Sequence, residues 1–100
     1  MSELEPPKIK MRLYVAGMSA RSSLAISNIR AIYAQQYKDG FELEIIDIYQ
    51  QMDMAERDNI IAAPTLIRML PPPLRRLIGD MTDKEKVLLV ISASPSFSHD

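Results

Sequence analysis

The chain has 100 residues, of which 47% are hydrophobic and 25% charged, with a formal net charge of −1; these values suit one globular domain with a single core. Such a balance argues against nucleic-acid or membrane-surface binding, and no apolar run approaches the roughly 18 residues of a membrane span. Cysteine is absent, which removes disulfides, thiol nucleophiles, thiolate metal sites and CxxC redox chemistry together.

Residues 1–7 read as a polar, proline-containing lead-in, 8–92 as the folded domain and 93–100 as a polar tail without pattern. The acidic start, Met1-Ser2-Glu3-Leu4-Glu5, does not resemble a signal peptide, so the expected location is cytoplasmic. From residue 8 the pattern alternates, with Ile9, Met11, Leu13 and Val15 on one face and Lys8, Lys10, Arg12 and Tyr14 on the other. Period two predicts a half-buried strand over 8–16, which Gly17 ends. Ser19 or Ser22 can cap a helix over 23–37 whose inward positions are Leu24, Ala25, Ile29, Ile32, Tyr33 and Gln36, and Lys38-Asp39-Gly40 stops it.

Phe41, Leu43 and Ile45 alternate with Glu42 and Glu44 before Ile46 and Ile48, which predicts a second strand completing a right-handed βαβ unit, with Asp47 at the sheet margin. A weaker helix follows over 50–61, with Asp53 as cap and Met54, Ile60 and Ile61 inward. Proline cannot donate to a sheet ladder, so Pro64 opens a third strand over 65–70, Pro71-Pro72-Pro73 is a link, and 74–78 returns as an antiparallel fourth strand. A proline opening a strand after small residues is a candidate for a cis peptide, the alternative being a rigid turn with every bond trans. Gly79-Asp80 makes a turn, and Thr82-Asp83-Lys84-Glu85 fits a capping box for a last helix over 83–92. The run Val87-Leu88-Leu89-Val90-Ile91 serves a buried strand equally well. The helix reading gives βαβαββα, an α/β thioredoxin-like arrangement with a mixed four-stranded sheet and three helices.

Little here suggests chemistry. The single histidine, His99, falls in the tail; the carboxylates read as caps or solvated faces; the three glycines form no phosphate loop; and the seven methionines are scattered gap-fillers. Lys8, Lys10 and Arg12 on the first strand, Arg68 on the third, and Arg75 and Arg76 on the fourth are either ordinary surface charge or one electrostatic docking patch on a sheet face, Arg75 and Arg76 pointing opposite ways.

Leu13-Tyr14-Val15-Ala16-Gly17, Ile46-Asp47-Ile48, Ala63-Pro64-Thr65-Leu66, Leu70-Pro71-Pro72-Pro73, Arg75, Ile78-Gly79-Asp80 and Asp83-Lys84-Glu85-Lys86-Val87-Leu88 resemble the KaiB family of small cyanobacterial clock proteins, collinearly over about residues 8–90. The resemblance implies an adaptor without catalysis, cofactor or metal. It would bind a KaiC-like hexameric RecA-like ATPase, and then sequester a KaiA-like protein or compete with a sensor kinase carrying a thioredoxin-like domain. The first strand, the turn after it and the start of the first helix (Arg12, Tyr14 and Arg21), with the second strand, correspond to its partner-binding surface; Leu24 stands where the family commonly has a basic residue. The resemblance also implies two folds that differ after the βαβ unit. One is a homo-oligomeric ground state, dimeric or tetrameric, of order βαββααβ, and the other is a thioredoxin-like state competent for binding. Pro64, Thr65, Pro71, Pro72, Pro73, Gly79 and Asp80 match the switching region. Val90 and Ser92 stand where clock members have a glycine and, two residues on, an aspartate, and the tail lacks the family's aromatic and acidic extension. The chain is therefore expected to rest in the thioredoxin-like fold, with a stress-related role as an alternative to a clock. Two readings compete. One is an adaptor of this fold for an unrelated partner such as a signalling kinase. The other is a thioredoxin-like transferase, which lacks a nucleophile because the turn after the first strand offers only Ser19, Ser22 and Ser23 without a base.

Overall fold

The structure is a computed structural model and describes residues 9–36 and 41–92; the lead-in 1–7, Lys8, the Lys38-Asp39-Gly40 helix stop and the tail 93–100 with His99 lie outside the described residues. The elements are β1 (Ile9–Val15), α1 (Ala20–Gln36), β2 (Phe41–Asp47), α2 (Met52–Arg57), β3 (Thr65–Leu70), β4 (Arg75–Ile78) and α3 (Lys84–Ser92). They form one sheet in the order β2-β1-β3-β4, in which β1 and β2 are parallel and the other neighbours antiparallel. Helix α1 is the crossover that parallel strands require. The expected order βαβαββα is observed, and residues 87–91 are helical rather than a strand.

Both faces of the sheet are covered. Met11, Leu13, Val15 and Leu66 pack against Ala25, Ile29 and Ile32 of α1 and Val87, Val90 and Ile91 of α3, while Tyr14, Ile46 and Ile67 pack against Ala55 of α2 on the opposite face. Strand β1 is thus buried on both sides at its C-terminal half, where alternation predicts one solvated face. Period two reports which side chains share a face, and Tyr14 reads as polar only through its hydroxyl.

Helix boundaries follow their caps. Ser19 caps α1: its Oγ accepts the Ser22 N–H at 3.2 Å and its carbonyl the Ser23 N–H at 2.9 Å, so the helix begins earlier than expected. Leu24, expected inward, is exposed. Helix α2 is shorter than the expected 50–61, and Asp53 does not cap it; the cap position is Gln51, without a side-chain bond, and Asp53 instead pairs with Arg57 at 3.5 Å. The early stop is a Schellman motif. Asn59 takes φ +55, its N–H reaches the Glu56 carbonyl, and the Ile60 N–H reaches the Ala55 carbonyl at 2.9 Å. Ile61 then falls outside the helix and is exposed rather than inward.

Thr65 opens β3 where Pro64 predicts, its Oγ1 donating to the Ala62 carbonyl at 2.6 Å. The Ala63–Pro64, Leu70–Pro71 and Pro72–Pro73 peptides are cis. The α3 cap lies one residue later than the capping box suggests: Asp83 Oδ1 accepts the Lys86 N–H at 3.2 Å, and the Thr82 N–H is taken by Asp80 Oδ1 at 3.0 Å. Asp83→Ala is therefore expected to lower stability by about 1 kcal/mol, read as a lower urea midpoint at unchanged m-value. A Thr82→Ala change as costly as Asp83→Ala would contradict this cap assignment.

Candidate functional site

The strand cations, read as either ordinary surface charge or one docking patch, do not form a single patch on one face. In the strand register Met11, Arg68 and Arg75 align across the sheet on the side of α1 and α3, and Arg12, Ile67 and Arg76 align on the side of α2. Arg68 is 0% exposed, which corrects its assignment as a partner-contact residue. Its Nη1 donates to the Val90 carbonyl at 2.9 Å and its Nη2 to the Pro73 carbonyl at 2.7 Å. Burial, with the like charge of Arg75 adding to it, lowers the Arg68 pKa from its usual value.

Arg12 and Tyr14 are also turned to internal use. Arg12 Nε donates to Glu44 Oε1 at 3.1 Å and its Nη1 to Asp58 Oδ2 at 3.0 Å; the Tyr14 hydroxyl donates to the same Asp58 oxygen and lies 3.3 Å from the Met54 carbonyl. Burial works against the Arg12 charge, but the hydrogen bonds to Asp58 and Glu44 outweigh it and its pKa rises. Burial, then the bond to anionic Asp58, pushes the Tyr14 hydroxyl up to about 12. Asp58 is the C-cap of α2, so these bonds fasten that short helix to the sheet, helped by Arg76, which donates to the backbone carbonyls of Asp58 and Asn59.

Of the other singled-out positions, Arg21 is exposed in the first turn of α1, and Arg75 is exposed on the edge strand β4. Hydrogen bonds from Thr82 hold the Asp80 carboxyl below its ordinary value, with the charge of Arg21 adding to the effect. Pro64 and Thr65 are buried, and Gly79, at φ +136, donates its N–H to the Pro64 carbonyl at 3.0 Å. Pro71, Pro72 and Pro73 form the β3–β4 connection, Val90 packs into the core and Ser92 ends α3.

The turn after β1, part of the surface that the family resemblance implies, joins apolar side chains that sequence reasoning did not single out. The turns after β1 and β2 are tied together by Asp47, whose Oδ1 accepts the N–H groups of Gly17 at 3.2 Å and Tyr49 at 2.9 Å; its carbonyl takes those of Gln50 and Gln51. Gly17 has φ +58, and a Cβ there would meet the Tyr49 ring at 3.5 Å. Ser22 Oγ, fully buried, accepts the Ala16 N–H at 2.9 Å and closes the first turn. These turns, the start of α2 and the next connection expose four large apolar side chains: Met18 is 93% exposed, Tyr49 69%, Met52 66% and Ile61 90%. Beside them lies a groove of 420 Å³ lined by residues that include Ile48, Tyr49, Met52, Ile60 and Ile61. Large apolar side chains held in polar turns mark docking surfaces. The signal was present in Gly17-Met18-Ser19 and Ile60-Ile61, where apolar residues fall in turns instead of on a periodic face. Among the described residues no group of three His, Cys, Asp or Glu side chains is placed to hold a metal, and no helix is long and apolar enough to cross a membrane.

A family model described as the KaiB domain matches residues 12–93. The chain is 48% identical over 88 residues to the circadian clock protein KaiB3 of Synechocystis sp., covering 88% of this chain and 86% of that protein. In structure it is similar to the N-terminal domain of SasA from Synechococcus elongatus, with a TM-score of 0.70 and 20% identity over 93% of this chain and 90% of that one. It is also similar to mitochondrial thioredoxin 3 of Saccharomyces cerevisiae, with a TM-score of 0.74 and 16% identity over 88% of this chain and 80% of that one. At these identities the two structural likenesses speak for the fold alone, and that fold is thioredoxin-like.

Proposed function

The chain belongs to the KaiB family, and from that premise we propose that it is a non-catalytic regulator that docks a KaiC-type RecA-like ATPase through the apolar surface at the ends of β1 and β2. The observation that carries this reading is the exposed set Met18, Tyr49, Met52 and Ile61, of which Met18 and Tyr49 stand on turns that Asp47 ties together. Burying such side chains against a partner supplies most of the affinity at an interface, and a central anchor contributes about 2 kcal/mol or more. Arg21, exposed on the first turn of α1, adds a charge at the rim that guides encounter. Arg12 and Tyr14 act from below, by fixing the helix that carries Met52. Recruitment of a KaiA-like protein, or displacement of a sensor kinase, follows from the same complex, in circadian timing or in stress adaptation.

The test is a pull-down from native cytosol with the tagged chain, followed by identification of the retained protein. A KaiC-type ATPase is expected, and the double change Met18→Glu, Ile61→Glu should lower its retention at least about tenfold. Both side chains are almost wholly exposed, so folding should be unaffected. Equal retention by the double variant would move docking elsewhere, and thiol-disulfide turnover by the purified chain would reinstate the transferase reading.

A further inference from the structure

Strand β4 is an edge: among the described residues it pairs with β3 alone. In an antiparallel ladder, alternate residues turn both backbone groups toward the neighbouring strand. The Gly79 N–H bonds the Pro64 carbonyl, and the register pairs Leu77 with Leu66 and Arg75 with Arg68. Positions 79, 77 and 75 therefore face β3, and the N–H and C=O groups of Arg76 and Ile78 point away from the sheet. These are groups an incoming strand can bond.

The side chains along this edge set the chemistry of what fits. Leu74, Arg75, Arg76 and Ile78 are all exposed. Arg76 and Ile78 lie toward α2, while Arg75 and Leu77 lie toward α1 and α3. Arg75 makes no ion pair or side-chain hydrogen bond among the described residues. Arginine on a short edge strand discourages pairing between copies of the same chain, because it brings like charges together. The same charge favours a strand that carries carboxylates.

We propose that the outer edge of β4 receives an extended acidic segment of a partner protein as a fifth strand, through the backbone groups of Arg76 and Ile78. Two adjacent carboxylates in that segment lie beside Arg75 and Arg76, one on each face of the sheet. Apolar side chains flank them and cover Leu74 and Ile78. This surface is separate from the apolar turns after β1 and β2, so it can be occupied whether or not an ATPase docks there.

The experiment uses the full chain and a fluorescein-labelled peptide of two adjacent glutamates flanked by valines, about as long as an average strand. Fluorescence anisotropy should report saturable binding that falls as salt is raised, and the amide resonances of Arg76 and Ile78 should shift. Arg75→Glu should weaken binding about tenfold. N-methylation of the peptide backbone, which leaves the protein untouched, should abolish it, and so should Ile78→Pro, which removes a donor that β3 does not use. Equal binding of a peptide with lysine in place of glutamate, or of the methylated peptide, would overturn the proposal. So would a dimer in sedimentation velocity that Ile78→Pro abolishes, since that result gives the edge to a second copy.

Discussion

Arg68→Ala is expected to lower the stability of the chain by about 2–5 kcal/mol, a large share of what a domain of this size possesses. The guanidinium is fully buried between β3, the triple-proline link and the last turn of α3, and it supplies donors to the carbonyls of Pro73 and Val90. A cation suits that place because carbonyls at a helix C-terminus carry partial negative charge. Its removal leaves both acceptors short of a partner and opens a cavity beside Met11 and Leu66, neighbours in the same core. Lysine should not rescue it, since one ammonium cannot span two carbonyls as a planar fork does. Urea unfolding measures the effect as a lower midpoint at similar m-value. A variant that unfolds like the parent but loses a binding partner would return Arg68 to the docking surface that sequence reasoning gave it.

The second large effect is alkaline and centres on Tyr14. Its hydroxyl is held by Asp58 in a buried setting, and its pKa is pushed up to about 12 from an ordinary value of 10.0. A folded pKa above the unfolded one means that the folded state prefers the proton. The contribution is therefore complete below pH 10 and is lost as pH rises toward 12, because the unfolded chain ionises first. Two pH units of separation correspond to about 2–3 kcal/mol. Tyr14→Phe lacks the hydroxyl at every pH, so the stability gap between the parent and this variant should narrow by about that amount across pH 10–12. Other tyrosines titrate in both proteins and cancel. A gap that stays constant through this window would show that the Tyr14–Asp58 bond does not set the proton affinity.

Much of the architecture could be read from residue patterns, and the errors have local physical causes. Pro64 placed the start of β3 because an imide nitrogen cannot join a ladder, and β3 does begin at Thr65. The run 87–91 was ambiguous because its branched residues suit either state. Asp83 decides for the helix by capping it, and four of the five side chains, Val87, Val90 and Ile91 buried and Leu88 partly so, then meet the core. The overlong α2 came from counting apolar residues past Asn59; an asparagine in the left-handed region was the stop signal. Misplaced cations had a different origin. Alternation puts Arg12 and Arg68 in opposite phases only once strand register is known, and register is a long-range property that no local window contains. For the same reason the Arg12–Asp58 and Tyr14–Asp58 bonds, between residues more than forty apart, were out of reach. The apolar members of the proposed surface were not singled out because Met18, Tyr49 and Ile61 come from three separate connections and Met52 from the start of α2, so they share no periodicity.

The clasp that Asp47 makes across the two turns bears on the speed of recognition. Side chains already standing in their contact geometry need little ordering when a partner arrives, so the usual entropic toll of induced fit shrinks. Association should then run at the ordinary rate for two rigid patches finding each other, about 10⁵–10⁷ M⁻¹s⁻¹. Asp47→Ala frees both loops, and stopped-flow mixing with the partner should reveal the slower capture that follows.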